Sequence, residues 1–276
     1  MIKLNFEDYN VEREKIQIVV LDILSRINYM KNATLQGGGA LRLCYKSTRF
    51  SVDLDFVAEK FETEKLGEIQ DTLKKELQRH FQNKIEVVVK KHREYSILDS
   101  IFVRVYQEDK NKKRIEICIE IAEGIPALTS EMNVASSKHF PNLFVFINTE
   151  KIEEILADKV VAFGGRKVLE TMPFKARDVW DLFWITGIKT HINKEMILKK
   201  IKNYHIDKEL FISNFKQRLQ KLKTPDALKH FQAEMLRFAD QDMKNIIENN
   251  SAAMNILEQV YSFMSDFLKE ILENLY

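Results

Sequence analysis

Residues Leu35 to Phe56, LQGGGALRLCYKSTRFSVDLDF, set three consecutive glycines, Gly37, Gly38 and Gly39, ahead of two aspartates one residue apart, Asp53 and Asp55. In a strand, side chains alternate, so FSVDLDFV turns Asp53 and Asp55 to one face and Leu54 and Phe56 to the core. Two carboxylates in one small volume raise each other's pKa unless a positive charge lies between them. The usual one is a divalent cation such as Mg²⁺, which takes carboxylate oxygens together with substrate phosphates. The glycines supply the complementary half. Backbone amides at a helix start, with no Cβ in the way, bind phosphate. Separately, an acidic strand edge and a glycine turn are both common; their order here, turn, short helix, acidic strand, is what a triphosphate site requires.

The elements that position these residues are legible by periodicity. From Val11 to Met30 apolar residues recur at helical spacing and predict a helix leading into the glycines. ALRLCY is expected to open a second, short helix, and residues 64–81 a third, with Leu66, Ile69, Leu73 and Leu77 on one face. KIEVVVK, SIFVRVYQ, RIEICIEI and LFVFIN read as further strands. EDKNKKR, Glu108 to Arg114, has the polarity of a hairpin turn between two of them. Beyond Asn148 the strand signals give way to helical periodicity, with Thr149 as a candidate helix cap. The sequence therefore predicts an α/β (α+β) domain with a mixed sheet over 1–148 and a helical domain over 149–276.

In the first of these later helices, Ile152, Ile155, Leu156, Val160 and Phe163 form an apolar stripe that also holds Lys159, either snorkelling from an interface or serving a charge. In KARDVWDLFWI, Asp178 and Asp181 are three residues apart and share a helix side. In RIEICIEI, Glu116, Cys118 and Glu120 share one strand face.

Taken together, the segment resembles the nucleotidyltransferase signature of polymerase beta-like proteins, hG[GS] followed by Dh[DE]h, and more narrowly the AbiEii-like toxin family, through GGGAL, RFSVDLDF, ILADKVVA and RDVWDL. One departure stands out: Gly39 occupies a position where threonine or serine is typical. The resemblance implies nucleotidyl transfer from an NTP, with Mg²⁺ or Mn²⁺ held by Asp53, Asp55 and a third acid. Either Glu116 or Glu120 is a candidate for that acid, with Glu116 preferred. It further implies nucleotide binding by Gly37, Gly38, Gly39, Ser51 and Arg49, and catalytic roles for Lys159, reaching triphosphate charge in the cleft, and Asp178, orienting Lys159 or acting as a base.

Composition narrows the partners. With 43 basic against 41 acidic residues the net charge is +2, which excludes a histone-like cation but permits basic patches such as Lys90 to Arg93, Lys110 to Arg114, and Lys199, Lys200 and Lys202. RNA, tRNA in particular, is the expected acceptor, and a cognate antitoxin the expected partner. Cys44 and Cys118 form no CxxC pair, and the sequence shows neither a secretory leader nor an apolar run of roughly 18 residues, so a cytoplasmic protein with no membrane association is expected. Two alternatives remain open at this point: an antibiotic nucleotidyltransferase, and a degenerate protein that binds a partner through its last helix, Met254 to Leu275.

Overall fold

A computed structural model describes residues 6–81, 84–90, 98–106, 114–169 and 173–275. The chain divides into two compact units, Met1–Lys151 and Ile152–Tyr276.

The first unit runs α1 (Phe6–Ser25), β1 (Thr34–Gln36), α2 (Gly37–Leu43), β2 (Leu54–Ala58), α3 (Leu66–His80), β3 (Lys84–Lys90), β4 (Leu98–Tyr106), β5 (Ile115–Glu123), β6 (Ser130–Ser137) and β7 (Phe140–Glu150). Its strands form one mixed sheet in the order β3-β4-β5-β2-β1-β7-β6, with β2 parallel to β5 and β1 parallel to β7. The helix predicted over Val11 to Met30 starts earlier, at Phe6, and stops at Ser25; a 3₁₀ turn follows at Asn28–Asn32. It is no ordinary surface helix, because Ile18, Val19, Val20 and Leu21 are buried in succession. It packs against β5, β6, β7 and α3, and inward-facing Leu35, Leu54, Phe56, Ile117, Ile119, Val145 and Ile147 complete the core.

Two strands were not predicted. β1 is three residues long, and β6 reads SEMNVASS, a polar edge strand whose hydrophobic pattern is too sparse to register. β7 also extends through Glu150, so buried Thr149 belongs to the sheet instead of capping a helix. The predicted turn of residues 108–114 lies, apart from Arg114, outside the described residues; β4 and β5 on either side of it do pair antiparallel.

The second unit is helical: α4 (Ile152–Gly165), α5 (Ala176–Gly187), α6 (Lys194–Asn203), α7 (Lys208–Leu222), α8 (Pro225–Met235), α9 (Gln241–Glu248) and α10 (Asn250–Leu275). Asn193, Asp207 and Asp240 cap α6, α7 and α9 with side-chain oxygens on backbone amides, the arrangement that satisfies the unpaired first turn. The stripe of α10 is core: Ile256, Leu257, Val260, Met264, Phe267 and Ile271 are buried among α5, α7, α8 and α9. That burial removes the ground for reading α10 as a partner-binding helix. Among the described residues no helix is long and apolar enough to cross a membrane.

α4 and α7 meet at an aromatic cluster of Phe163, Phe211 and Phe215, and a Cβ at Gly164 would run into the Phe211 ring. Arg218 of α7 closes the end of α4 by donating to the carbonyls of Phe163 and Arg166; burial and the neighbouring Arg166 bring its pKa down to about 10. Gly164→Ala should therefore cost about 1–3 kcal/mol by overpacking. Urea unfolding measures this, and an unchanged midpoint would contradict the close approach.

Candidate active site

α2 begins where β1 ends, with Gln36 as an extended N-cap and Gly37 in the left-handed region, φ +64°. The three glycines are the points at which the acidic strand presses on the helix start. A Cβ on Gly37 would lie 3.2 Å from Asp55 Oδ2, and one on Gly38 would lie 2.7 Å from Arg49 Nη2 and 3.2 Å from Ser51 Oγ. At Gly39 the nearest atom is the Asp53 carbonyl oxygen, also at 3.2 Å. The glycine that departs from the family pattern thus lets the Asp53 backbone come close at the cost of a hydroxyl. The structure brings Gly37, Gly38, Gly39, Arg49, Ser51, Asp53 and Asp55 together.

The loop between α2 and β2 carries Arg49, Ser51 and Asp53, and it is held by side chains instead of by secondary structure. Arg42 of α2 donates to the carbonyls of Ser47 (3.0 Å) and Thr48 (2.8 Å), and pairs with Glu14 of α1 at 2.6 Å. The other Glu14 oxygen accepts from Ser137 at 2.6 Å. Gln17 donates to the Val52 carbonyl, Arg49 to that of Phe50 and Ser51 to that of Asp53. Glu14 and Gln17 escape a sequence search for function because they are polar residues inside an apolar helix; that misfit was their signal.

Register gives the two candidate glutamates different neighbours. Asp55 lies beside Gln36 on one side and beside Glu120 on the other, and Glu120 in turn faces Ser100 of β4. Glu116 is four residues away along β5, about 13 Å at strand spacing. It is committed to Arg104 at 2.7 Å and Arg114 at 3.3 Å. Cys118 lies between the two glutamates on β5: burial, then the charges of Glu120, Asp53 and Asp55, push its thiol up to about 12. The sequence preference for Glu116 is therefore not matched by proximity; Glu120 is the glutamate the sheet sets next to Asp55.

The second unit holds the remaining sequence candidates. Lys159 of α4 sits between Asp178 (2.9 Å) and Asp181 (2.8 Å) of α5, and Arg166 also pairs with Asp178. Burial opposes ionisation of Asp178, but Lys159 and Arg166 outweigh it and hold the carboxyl well below the usual range. Lys200, grouped by sequence with Lys199 and Lys202 as a phosphate contact, is 1% exposed and pairs with Glu154 and Asp158 at 2.6 and 2.7 Å. Only Lys199 and Lys202 of that group are exposed. Of the other basic clusters, only Lys90 and Arg114 fall within the described residues.

Asp55 and Glu120 on the β2–β5 pair, with Asp53 just before β2, carry hard oxygen donors, a type that suits Mg²⁺ or Mn²⁺ better than softer metals. Beside them, the α2 start and Arg49 offer amide and guanidinium donors to phosphate.

A model of the family described as "Nucleotidyl transferase AbiEii toxin, Type IV TA system" matches residues 19–255. No curated protein matches the chain. Among solved structures, MenT4, a nucleotidyltransferase toxin from Mycobacterium tuberculosis H37Rv, is similar with a TM-score of 0.54 at 16% identity, covering 95% of each chain. JHP933 from Helicobacter pylori is similar with a TM-score of 0.50 at 19% identity, covering 97% of this chain and 98% of that one. At these identities the structural likenesses establish a shared fold.

Removing one partner of the buried pair, as in Glu14→Ala, leaves Arg42 charged and unpaired and should cost about 3–5 kcal/mol, measurable by urea unfolding; a loss below 1 kcal/mol would contradict the clamp. Asp178 has a folded pKa lowered from the ordinary 3.8, so its contribution to stability is complete above that value and is lost as pH falls through the folded one. Asp178→Asn should cost about 2–3 kcal/mol at pH 7 and should flatten the fall in thermal stability below pH 4. Equal slopes for both proteins would count against the assignment.

Proposed function

The chain belongs to the AbiEii family of nucleotidyltransferase toxins, and from that premise we propose a divalent-metal-dependent transfer of a nucleoside monophosphate from an NTP to a hydroxyl of RNA, with tRNA the first candidate acceptor. One observation carries the reading. Asp55 and Glu120 are paired in register across β2 and β5, with Asp53 just before β2, beside a helix start that Gly37, Gly38 and Gly39 keep open to the backbone.

In this account Asp53, Asp55 and Glu120 hold Mg²⁺ or Mn²⁺, which when bound neutralises phosphate charge and lowers the pKa of the attacking hydroxyl. The amides of the α2 start and the guanidinium of Arg49 receive the triphosphate, and Ser51 fixes the backbone of Asp53 so that its carboxylate keeps its direction. For Lys159 and Asp178 the proposal keeps the roles the resemblance implies; within their own unit Asp178 and Asp181 both hold the Lys159 ammonium and fix its direction. Glu116 is assigned to the Arg104 ion pair and not to the metal. The family is that of a type IV toxin–antitoxin system, which implies a cognate antitoxin. The reaction is assigned to the cytoplasm, where NTPs and RNA meet.

Incubation with each α-³²P-labelled NTP, Mg²⁺ and total tRNA should move label onto RNA. The transfer should fall to background in Asp53→Ala and on chelation of the metal, with the fold retained by circular dichroism. Label moving to an aminoglycoside and not to RNA, or an Asp53→Ala protein as active as the parent, would overturn the reading.

A further inference from the structure

The sheet face that carries the carboxylates continues across β5 onto β4 and β3, away from the glycine helix. Its side chains there are not those of a plain solvated sheet. Register sets Lys90 opposite Ser100 and Ser100 opposite Glu120, so one row across the strands leads from Lys90 to the acids. In the next row Phe102 lies opposite Cys118, and beyond it Arg104 opposite Glu116 and Tyr106 opposite Lys84. Lys90 Nζ lies 4.7 Å from the Phe102 ring centroid and Lys84 Nζ 5.3 Å from that of Tyr106. Arg104 is fixed between Glu116 and Glu86, and Tyr106 donates to Glu86 at 2.6 Å. Lys84 and Lys90 are exposed, and Phe102 and Tyr106 are half-buried.

We infer that this β3–β4 face binds a single-stranded nucleic-acid acceptor, stacking bases on Phe102 and Tyr106 and pairing backbone phosphates with Lys84 and Lys90. The inference rests on the transferase reading for what the bound strand is used for. Interleaved aromatics and cations are the combination that holds single strands, because every base offers a π-face and every phosphate a charge. Phe102 and Tyr106 are four residues apart on one strand, about 13 Å, which is too far for one nucleoside and suits successive parts of a polymer. Glu86 and Glu116 do not cancel the attraction of Lys84 and Lys90, since Arg104 and Arg114 together answer both. The flexible stem of a lysine lets its ammonium move from the ring to a phosphate when a base takes its place. The face also lies on the opposite side of the acids from α2. The triphosphate then approaches from the glycine side and the acceptor end from the β4 side, with Phe102 about one strand spacing, roughly 5 Å, from Cys118.

The test is a fluorescence-anisotropy titration of the full chain with a labelled single-stranded RNA of about eight nucleotides, within the usual single-strand site sizes, without NTP. The Lys84→Glu/Lys90→Glu double variant should bind at least about tenfold more weakly, and its log–log salt slope should drop by about 1.4, or 0.7 for each lost phosphate contact. Phe102→Ala should lose about tenfold, and Phe102→Trp should restore binding. All variants should keep NTP affinity, which reports an intact fold on the glycine side. A DNA strand of the same sequence separates the sources: weaker binding assigns the face to RNA, equal binding to single strands of either sugar. Unchanged RNA affinity and slope in the lysine variant, or duplex RNA competing as well as the single strand, would overturn the inference. Label transfer to RNA by all variants with unchanged KM would reject the platform and leave the transferase reading standing. Binding lost in the variants while the parent transfers nothing to RNA would do the reverse.

Discussion

The candidate site depends on one buried ion pair. Asp53 ends a loop that has no regular secondary structure from Tyr45 to Asp53, and such a loop does not hold a carboxylate in place by itself. Arg42 and Glu14, 8% and 3% exposed at their side chains, tie that loop to α1 and α2. Burying two charges costs more than their attraction returns unless the remaining hydrogen-bonding capacity is used. Here it is: Glu14 accepts from Ser137 as well as Arg42, and Arg42 reaches two loop carbonyls while its guanidinium lies 4.5 Å from the Phe50 ring centroid. The pair thereby converts the rigidity of a buried helix into the position of the loop, and the loop sets Asp53 against the glycine turn.

The acids illustrate the opposite electrostatic problem. Register sets Asp55 beside Glu120, and burial first, then the charges of Glu120, Asp53 and Asp55, pushes the neighbouring Cys118 thiol up. Lys159 in the helical unit answers its own carboxylates, Asp178 and Asp181, within its surroundings. Carboxylates thus neighbour one another in the sheet unit, while in the helical unit a lysine lies between them.

Much of this was legible in the chain. Alternation in FSVDLDF gave the common face of Asp53 and Asp55, and the glycine run marked a helix start. Three features were not. Alternation places Glu116, Cys118 and Glu120 on one face equally, and only the pairing of β5 with β2, a tertiary fact, sets Glu120 beside Asp55. β6 is a polar edge strand, and its pairing with β7 overrides a weak propensity. Lys200 looked like one of a basic group because its neighbours Lys199 and Lys202 are solvated. Its helical phase with Ile197 and Ile201, both buried, was the better guide, and Glu154 and Asp158 explain why a lysine tolerates that place.

The central claim is that Glu120, and not Glu116, completes the carboxylate site with Asp53 and Asp55. Titration of Mn²⁺ in the presence of NTP, followed by electron paramagnetic resonance in the parent, Glu120→Gln and Glu116→Gln, tests it directly. Glu120→Gln should weaken Mn²⁺ binding by at least the tenfold that even outer-shell changes cost, and Glu116→Gln should bind like the parent. Weakening confined to Glu116→Gln, or parent-like binding in both variants, would contradict the account.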